Sequence, residues 1–165
     1  MPHAQTSTEV TSQGSRLTRF LSPANITSPP SEEFRRRQFD MMESSFGCHG
    51  GLYGGDELAL LTRGRGEQPM SLIARAIVNR SLVNVVWQGK LLIPAFQFAL
   101  HGCSVRDDVA VVVDELVKPF DDWELALWFA LPNLWLKDMA PVDMLARDPA
   151  AVLGAARADR FIALG

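Results

Sequence analysis

A chain of 165 residues with 47% hydrophobic and 21% charged residues holds enough apolar material for one medium globular domain or two small packed ones. Its formal net charge of -3 excludes a protein whose whole surface seeks nucleic acid, so any DNA contact has to be local. Two cysteines, Cys48 and Cys103, are too few for a disulfide framework, and no basic-then-apolar leader pattern opens the chain. A reduced, cytoplasmic protein is the expectation.

Residues 1–30 are rich in Ser, Thr, Gln and Pro, with Val10, Leu17, Phe20, Leu21 and Ile26 the only large apolar groups, which is the composition of a disordered arm. SEEFRRRQFDMMESSF then offers an N-cap at Ser31, acids in the first turn, and Phe34, Met41, Met42 and Phe46 near Gln38 at spacings of three to four. That pattern predicts an amphipathic helix over 31–46. Arg35, Arg36 and Arg37 spread over most of a turn, the habit of a solvated face, and are also a candidate phosphate contact.

Cys48, His49, Gly50 and Gly51 end that helix, and Asp56 is placed to cap a second, DELALLTR. Beyond the polar break RGRGEQ, Pro69 suits the first position of a third helix over 69–80, with Leu72, Ile73, Ala76 and Ile77 on one side. VNVVWQGKLLIPAFQF follows, two β-prone runs around Gln88-Gly89 that read as a hairpin. Two short helices, a turn and a hairpin give 31–100 the outline of a helix-turn-helix module.

Beyond Gly102 the pattern is helical: Val105 to Val117, Asp121 to Leu131, Pro141 to Arg147, and Pro149 to about Leu164. Asp121 and Asp148 can accept bonds from free N–H groups of the following turn, and Pro141 and Pro149 stand where a missing N–H costs nothing. The longest apolar windows, such as LALWFALPNLWL, are cut by Pro132 and fall short of the roughly 20 residues a membrane span needs. Residues 51–100 hold five basic and three acidic residues, whereas 101–165 hold six basic and eleven acidic, so the acidic half is the C-terminal one. The fold expected is mainly α: an arm over 1–30, a degenerate helix-turn-helix module with a β-hairpin over 31–100, and a helical domain over 101–165.

Candidate chemistry is sparse. Cys48-His49 and His101-Gly-Cys103 supply four soft ligands, but each pair is closer in sequence than structural zinc sites usually are, and buried or turn-located Cys and His account for them more simply. Neither cysteine stands at a helix N-terminus as an activated nucleophile would. The acid pairs Asp107-Asp108, Asp114-Glu115 and Asp121-Asp122 suit helix starts and exposed faces. GGLYGGDE lacks the lysine of a phosphate loop. Trp123, Trp128 and Trp135, separated by Leu and Phe, read as core and interface ahead of a base-stacking platform. No catalytic residue, metal or cofactor is expected.

Three segments carry a resemblance: GGLYGGDELALL, LVNVVWQGKLLIPAFQF, and DDWELALWFALPNLWL with APVDMLARDPAAVLGAARADRF. Pro94 to Phe98, Trp128 followed by Pro132-Asn133, and Pro141 to Leu145 are distinctive together. Over about 47–165 the chain resembles the antitoxins of the Xre/MbcA/ParS group. The resemblance implies a C-terminal domain that binds a NAD-depleting toxin of the RES-domain type and inhibits it by occupying its cleft, without chemistry of its own. It also implies a homodimer that binds operator DNA through the N-terminal module. Carried onto this chain, the toxin contact falls on the last helix, on Arg157, Arg160, Phe161, Leu164 and Gly165. Phe161 is equally suited to closing the domain's own core. Candidate DNA contacts are Arg63 and Arg65 to phosphates and Arg75 and Arg80 on the third helix, where Gln68, Ser71 and Asn79 are the only further polar readers. The alternative function is a DNA-binding transcriptional regulator whose C-terminal domain serves only oligomerisation.

Overall fold

The computed structural model describes residues 31–62, 68–99 and 104–165; the expectations for the arm over 1–30, for Arg63 and Arg65, and for His101 and Cys103 lie outside the described residues. The described chain is mainly helical, with seven α-helices and a small three-stranded antiparallel sheet.

Helix α1 spans Glu32–Gly47, and Ser31 caps it by accepting the Phe34 N–H at 3.2 Å. Its buried side is Gln38, Phe39, Met42 and Phe46, so Phe34 and Met41, expected on the apolar face, lie exposed. The rotation has a tertiary cause: Phe39 stacks on Trp87 with ring centroids 4.7 Å apart, and Gln38 accepts the Trp123 indole N–H at 2.9 Å. At the far end Gly50 takes φ +94° and Gly51 N–H returns to Phe46 O. A Cβ on Gly50 would stand 2.8 Å from that of Ala95, so the turn requires glycine both for its φ and for the approach.

Strand β1 (Leu52–Tyr53), helix α2 (Gly55–Thr62), helix α3 (Gln68–Val78), β2 (Val85–Trp87), β3 (Lys90–Pro94) and a 3-10 turn (Ala95–Gln97) follow. The expected hairpin is β2 and β3, joined through Gln88 and Gly89, both at positive φ as a type I′ turn demands. The sheet order is β1-β3-β2, with Leu52 opposite Pro94 and Tyr53 opposite Ile93. A strand of two residues has no period to read, and β1 was not expected.

In this part of the chain two helix boundaries differ from expectation. Helix α2 starts before Asp56, because the Glu57 carboxylate reaches back to accept the Gly54 N–H at 2.9 Å; Asp56 lies inside the first turn. Helix α3 stops at Val78 and does not run to Arg80. Arg80 adopts φ +53°, its N–H bonds Ile77 O, and Ser81 N–H bonds Ala76 O, a Schellman closure with arginine where glycine is usual.

The C-terminal helices are α4 (Asp107–Leu116), α5 (Asp122–Ala130), α6 (Pro141–Met144) and α7 (Pro149–Leu164), with a 3-10 turn at Leu134–Leu136. Asp121 caps α5 in a reciprocal box with Glu124, whose carboxyl is held above its ordinary value chiefly by burial. Asp148 caps α7 by accepting the Ala151 N–H. Helix α6 ends at Met144, short of Arg147: the N–H groups of Arg147 and Asp148 both return to Met144 O in a closing turn, and Asp148, which precedes a proline, is non-helical with φ -150° and ψ 76°.

The main core draws on both sides of residue 100: Phe39, Met42 and Phe46 of α1, Phe96, Val109, Val112 and Val113 of α4, Leu125 to Leu131, and Val152, Ala155 and Ala156 of α7. Trp128 lies at its centre, fully buried, as its spacing suggested. A smaller cluster of Leu58, Ile73, Leu82 and Ile93 sits beneath α2 and α3. Leu72, expected beside Ile73 in the core, is exposed, as are Leu60, Leu61, Met70 and Val78. No helix among the described residues is long and apolar enough to cross a membrane.

Candidate functional site: the pinned and overhanging terminal helix

Helix α7 buries Val152, Ala155, Ala156 and Asp159, the i, i+3, i+4, i+7 stripe of a helix lying on a core. A carboxylate at the end of such a stripe needs partners, and Asp159 has three. Its Oδ2 accepts the Trp128 indole N–H at 2.8 Å and the Asn133 amide at 2.7 Å, and its Oδ1 accepts the Trp135 indole N–H at 3.0 Å. Asn133 is itself fixed, since its Oδ1 accepts the Trp135 backbone N–H and its carbonyl accepts from Leu136 and Asp138. The Pro132-Asn133 corner and two of the tryptophans therefore form one polar clamp on α7. Trp123 instead serves α1: Arg35 lies over its ring, 4.2 Å from the centroid.

On the side facing α4, Arg157 Nε donates to Glu115 Oε1 at 2.8 Å, and Arg160 donates to Glu115 Oε2. The hydrogen bond from Arg157, with the charges of both guanidiniums, holds the Glu115 carboxyl below its ordinary range despite partial desolvation. Past Asp159 the helix overhangs. Phe161 is 76% exposed, Ile162 51% and Leu164 59%, so Phe161 does not close the domain's own core. A groove of about 300 Å³ is lined by Glu115, Arg157, Arg160, Phe161, Leu164 and Gly165. All five residues singled out on this helix thus meet in one place. Glu115 was missed there; it stands 42 residues from Arg157 on another helix, where only its acidic neighbour Asp114 marked it.

The residues expected to touch DNA are separated in role. Arg75 is exposed on α3, whereas the Arg80 guanidinium is turned to the connection between α4 and α5, donating to Asp122 Oδ1 at 2.9 Å, Val117 O at 2.9 Å and Phe120 O at 2.7 Å. A side chain with all three of those bonds has little left for a phosphate. Near Cys48, which is exposed, His49 Nε2 lies 2.8 Å from Asp143 Oδ1. Among the described residues no three His, Cys, Asp or Glu side chains gather as metal ligands. Comparison of the chain with protein-family models, curated proteins and solved structures finds no match, so the site is read from its own geometry.

Proposed function

We propose that this chain is an antitoxin that neutralises a NAD-depleting toxin of the RES-domain type by placing the end of α7 in the toxin's cleft. The observation that carries the reading is the overhang: a terminal helix pinned by Asp159 and Glu115, with Phe161, Ile162 and Leu164 exposed beyond the pins. An aromatic anchor such as Phe161 beside arginines matches the composition of binding hot spots, and one amphipathic turn enters a groove with little backbone rearrangement. The chain inhibits by occupation, uses no cofactor, and works in the cytoplasm as a homodimer; exposed Leu60, Met70, Leu72 and Val78 on α2 and α3 offer a surface for self-association.

The test is co-expression with the protein encoded beside it, following growth and intracellular NAD. Removing all of α7 would also remove Val152, Ala155, Ala156 and Asp159 from the core, so the informative truncation ends at Arg160. Rescue by the full chain, and its loss in that truncation and in F161A/L164A, is the expected result. A neighbour that is harmless alone, or rescue unaffected by these changes, refutes the reading.

The second reading, an operator-binding regulator, draws on the exposure of Arg75 on α3 and of Asn79 in the turn that follows it. It requires salt-sensitive binding to the chain's own promoter that is lost in R75A.

A further inference from the structure

Along α7 the ties to the rest of the chain stop before the helix does. Val152, Ala155 and Ala156 are buried, Asp159 is hydrogen bonded, and no residue from Arg160 to Gly165 is buried. On the α4 side the last tie is Glu115, which receives one guanidinium on each carboxylate oxygen. The three partners are not equivalent. The Glu115 side chain is 16% exposed and belongs to a helix whose Val112, Val113 and Leu116 lie in the core, whereas Arg157 and Arg160 are 64% and 46% exposed. The carboxylate is therefore the fixed member, and the arginines are what it holds.

A surface ion pair contributes little by itself. Its position here gives it leverage, because helix ends fray and the last turn has no buried residue to oppose fraying. Fixing Arg157 and Arg160 restrains the turn immediately before Phe161. A partner then meets Phe161 and Leu164 already on one helical side, without the loss of backbone freedom that ordering on contact would cost.

We infer that Glu115 is a positioning residue for the partner contact: through Arg157 and Arg160 it presents Phe161, Ile162 and Leu164 as a preformed helical turn. This rests on reading the overhang as the contact surface, and it assigns Glu115 no touch on the partner.

The experiment compares full-length wild type, E115A and E115D. Three readouts are taken: amide hydrogen exchange along α7 in the free chain, thermal melting, and dissociation constant for the purified protein encoded beside it. In E115A, exchange at residues 161–165 rises about tenfold while that at 152–156 and the melting temperature stay the same, and the dissociation constant rises about five- to tenfold. E115D, which keeps the carboxylate, recovers most of both. Unchanged exchange at 161–165 overturns the inference, and so does faster exchange with unchanged affinity. Faster exchange along all of α7 with a lower melting temperature also overturns it, because Glu115 would then be supporting the fold as a whole. If wild type does not bind the neighbour, the proposed function falls and this inference with it; if wild type binds and E115A binds equally, only the inference falls.

Discussion

Asp159 provides the sharpest test of how α7 is held, because its three bonds differ in what replaces them when the carboxylate is removed. Trp128 and Asn133 are fully buried, so in Asp159→Ala their donors lose their acceptor with no water to take its place. Each buried donor left unpaired costs about 1–3 kcal/mol. Removing a desolvated carboxylate returns part of that, for a net loss of about 2–4 kcal/mol. The Trp135 indole, on a residue 55% exposed, turns to solvent and adds almost nothing. Asp159→Asn is the informative partner: both buried donors converge on one oxygen, Oδ2, so an amide carbonyl placed there keeps both and sets its NH2 against Trp135 alone. D159N is expected within about 1 kcal/mol of wild type. Urea denaturation followed by circular dichroism gives the free energies, and at about 3 °C per kcal/mol for a chain of this size D159A melts roughly 10 °C lower. A D159A variant within about 0.5 kcal/mol of wild type, or a D159N variant as unstable as D159A, would refute the clamp.

Further expectations follow from other residues. Gln97 is fully buried, accepts the Val83 N–H at 2.8 Å and donates to Val83 O and Pro94 O, so Q97A should lose about 3–5 kcal/mol by denaturant titration. R80A should lose about 1–2 kcal/mol through its bonds to Asp122, Val117 and Phe120, while R75A stays within about 0.5 kcal/mol; equal losses would contradict the separation of their roles. Because Glu115 titrates below its ordinary 4.5 when paired, its hold on α7 is complete above about pH 4.5 and is lost as pH falls through the lower, folded value. Glu124, raised by burial, acts in the opposite sense: the folded state favours its protonated form, so its contribution is greatest at low pH and declines as pH rises through the folded value. Exchange at 160–165 measured against pH isolates the first effect, and protection that persists unchanged below the Glu115 transition would show that the pair does not hold the turn.

The features legible in the sequence are those whose physics closes within a few residues. Ser31, Asp121 and Asp148 cap helices because each carboxylate or hydroxyl meets an N–H three positions on. Gly89 marks the hairpin turn because glycine takes positive φ freely, and Gln88 follows it into that region. Trp128 is core because an apolar run around a large ring has nowhere else to go. The cluster on the last helix was also named from the sequence, through a resemblance and not through spacing, and the tertiary structure added its exposure and its anchors.

The rest depended on which surfaces meet. Strand β1 exists because Tyr53 reaches Ile93, and α3 ends at Val78 where the backbone takes the left-handed turn at Arg80. The Arg80 guanidinium, in turn, finds acceptors 37 to 42 residues away. Which side of α1 is buried was decided by Trp87 and Trp123, and the polar clamp on α7 by donors 24 to 31 residues upstream of Asp159. A carboxylate's sequence neighbours do not reveal whether it will meet solvent, an indole or a guanidinium. Its free energy is set by the dielectric and the donors that distant segments bring to it, and for Asp159 and Glu115 that assembly is what turns a terminal helix into a held and presented end.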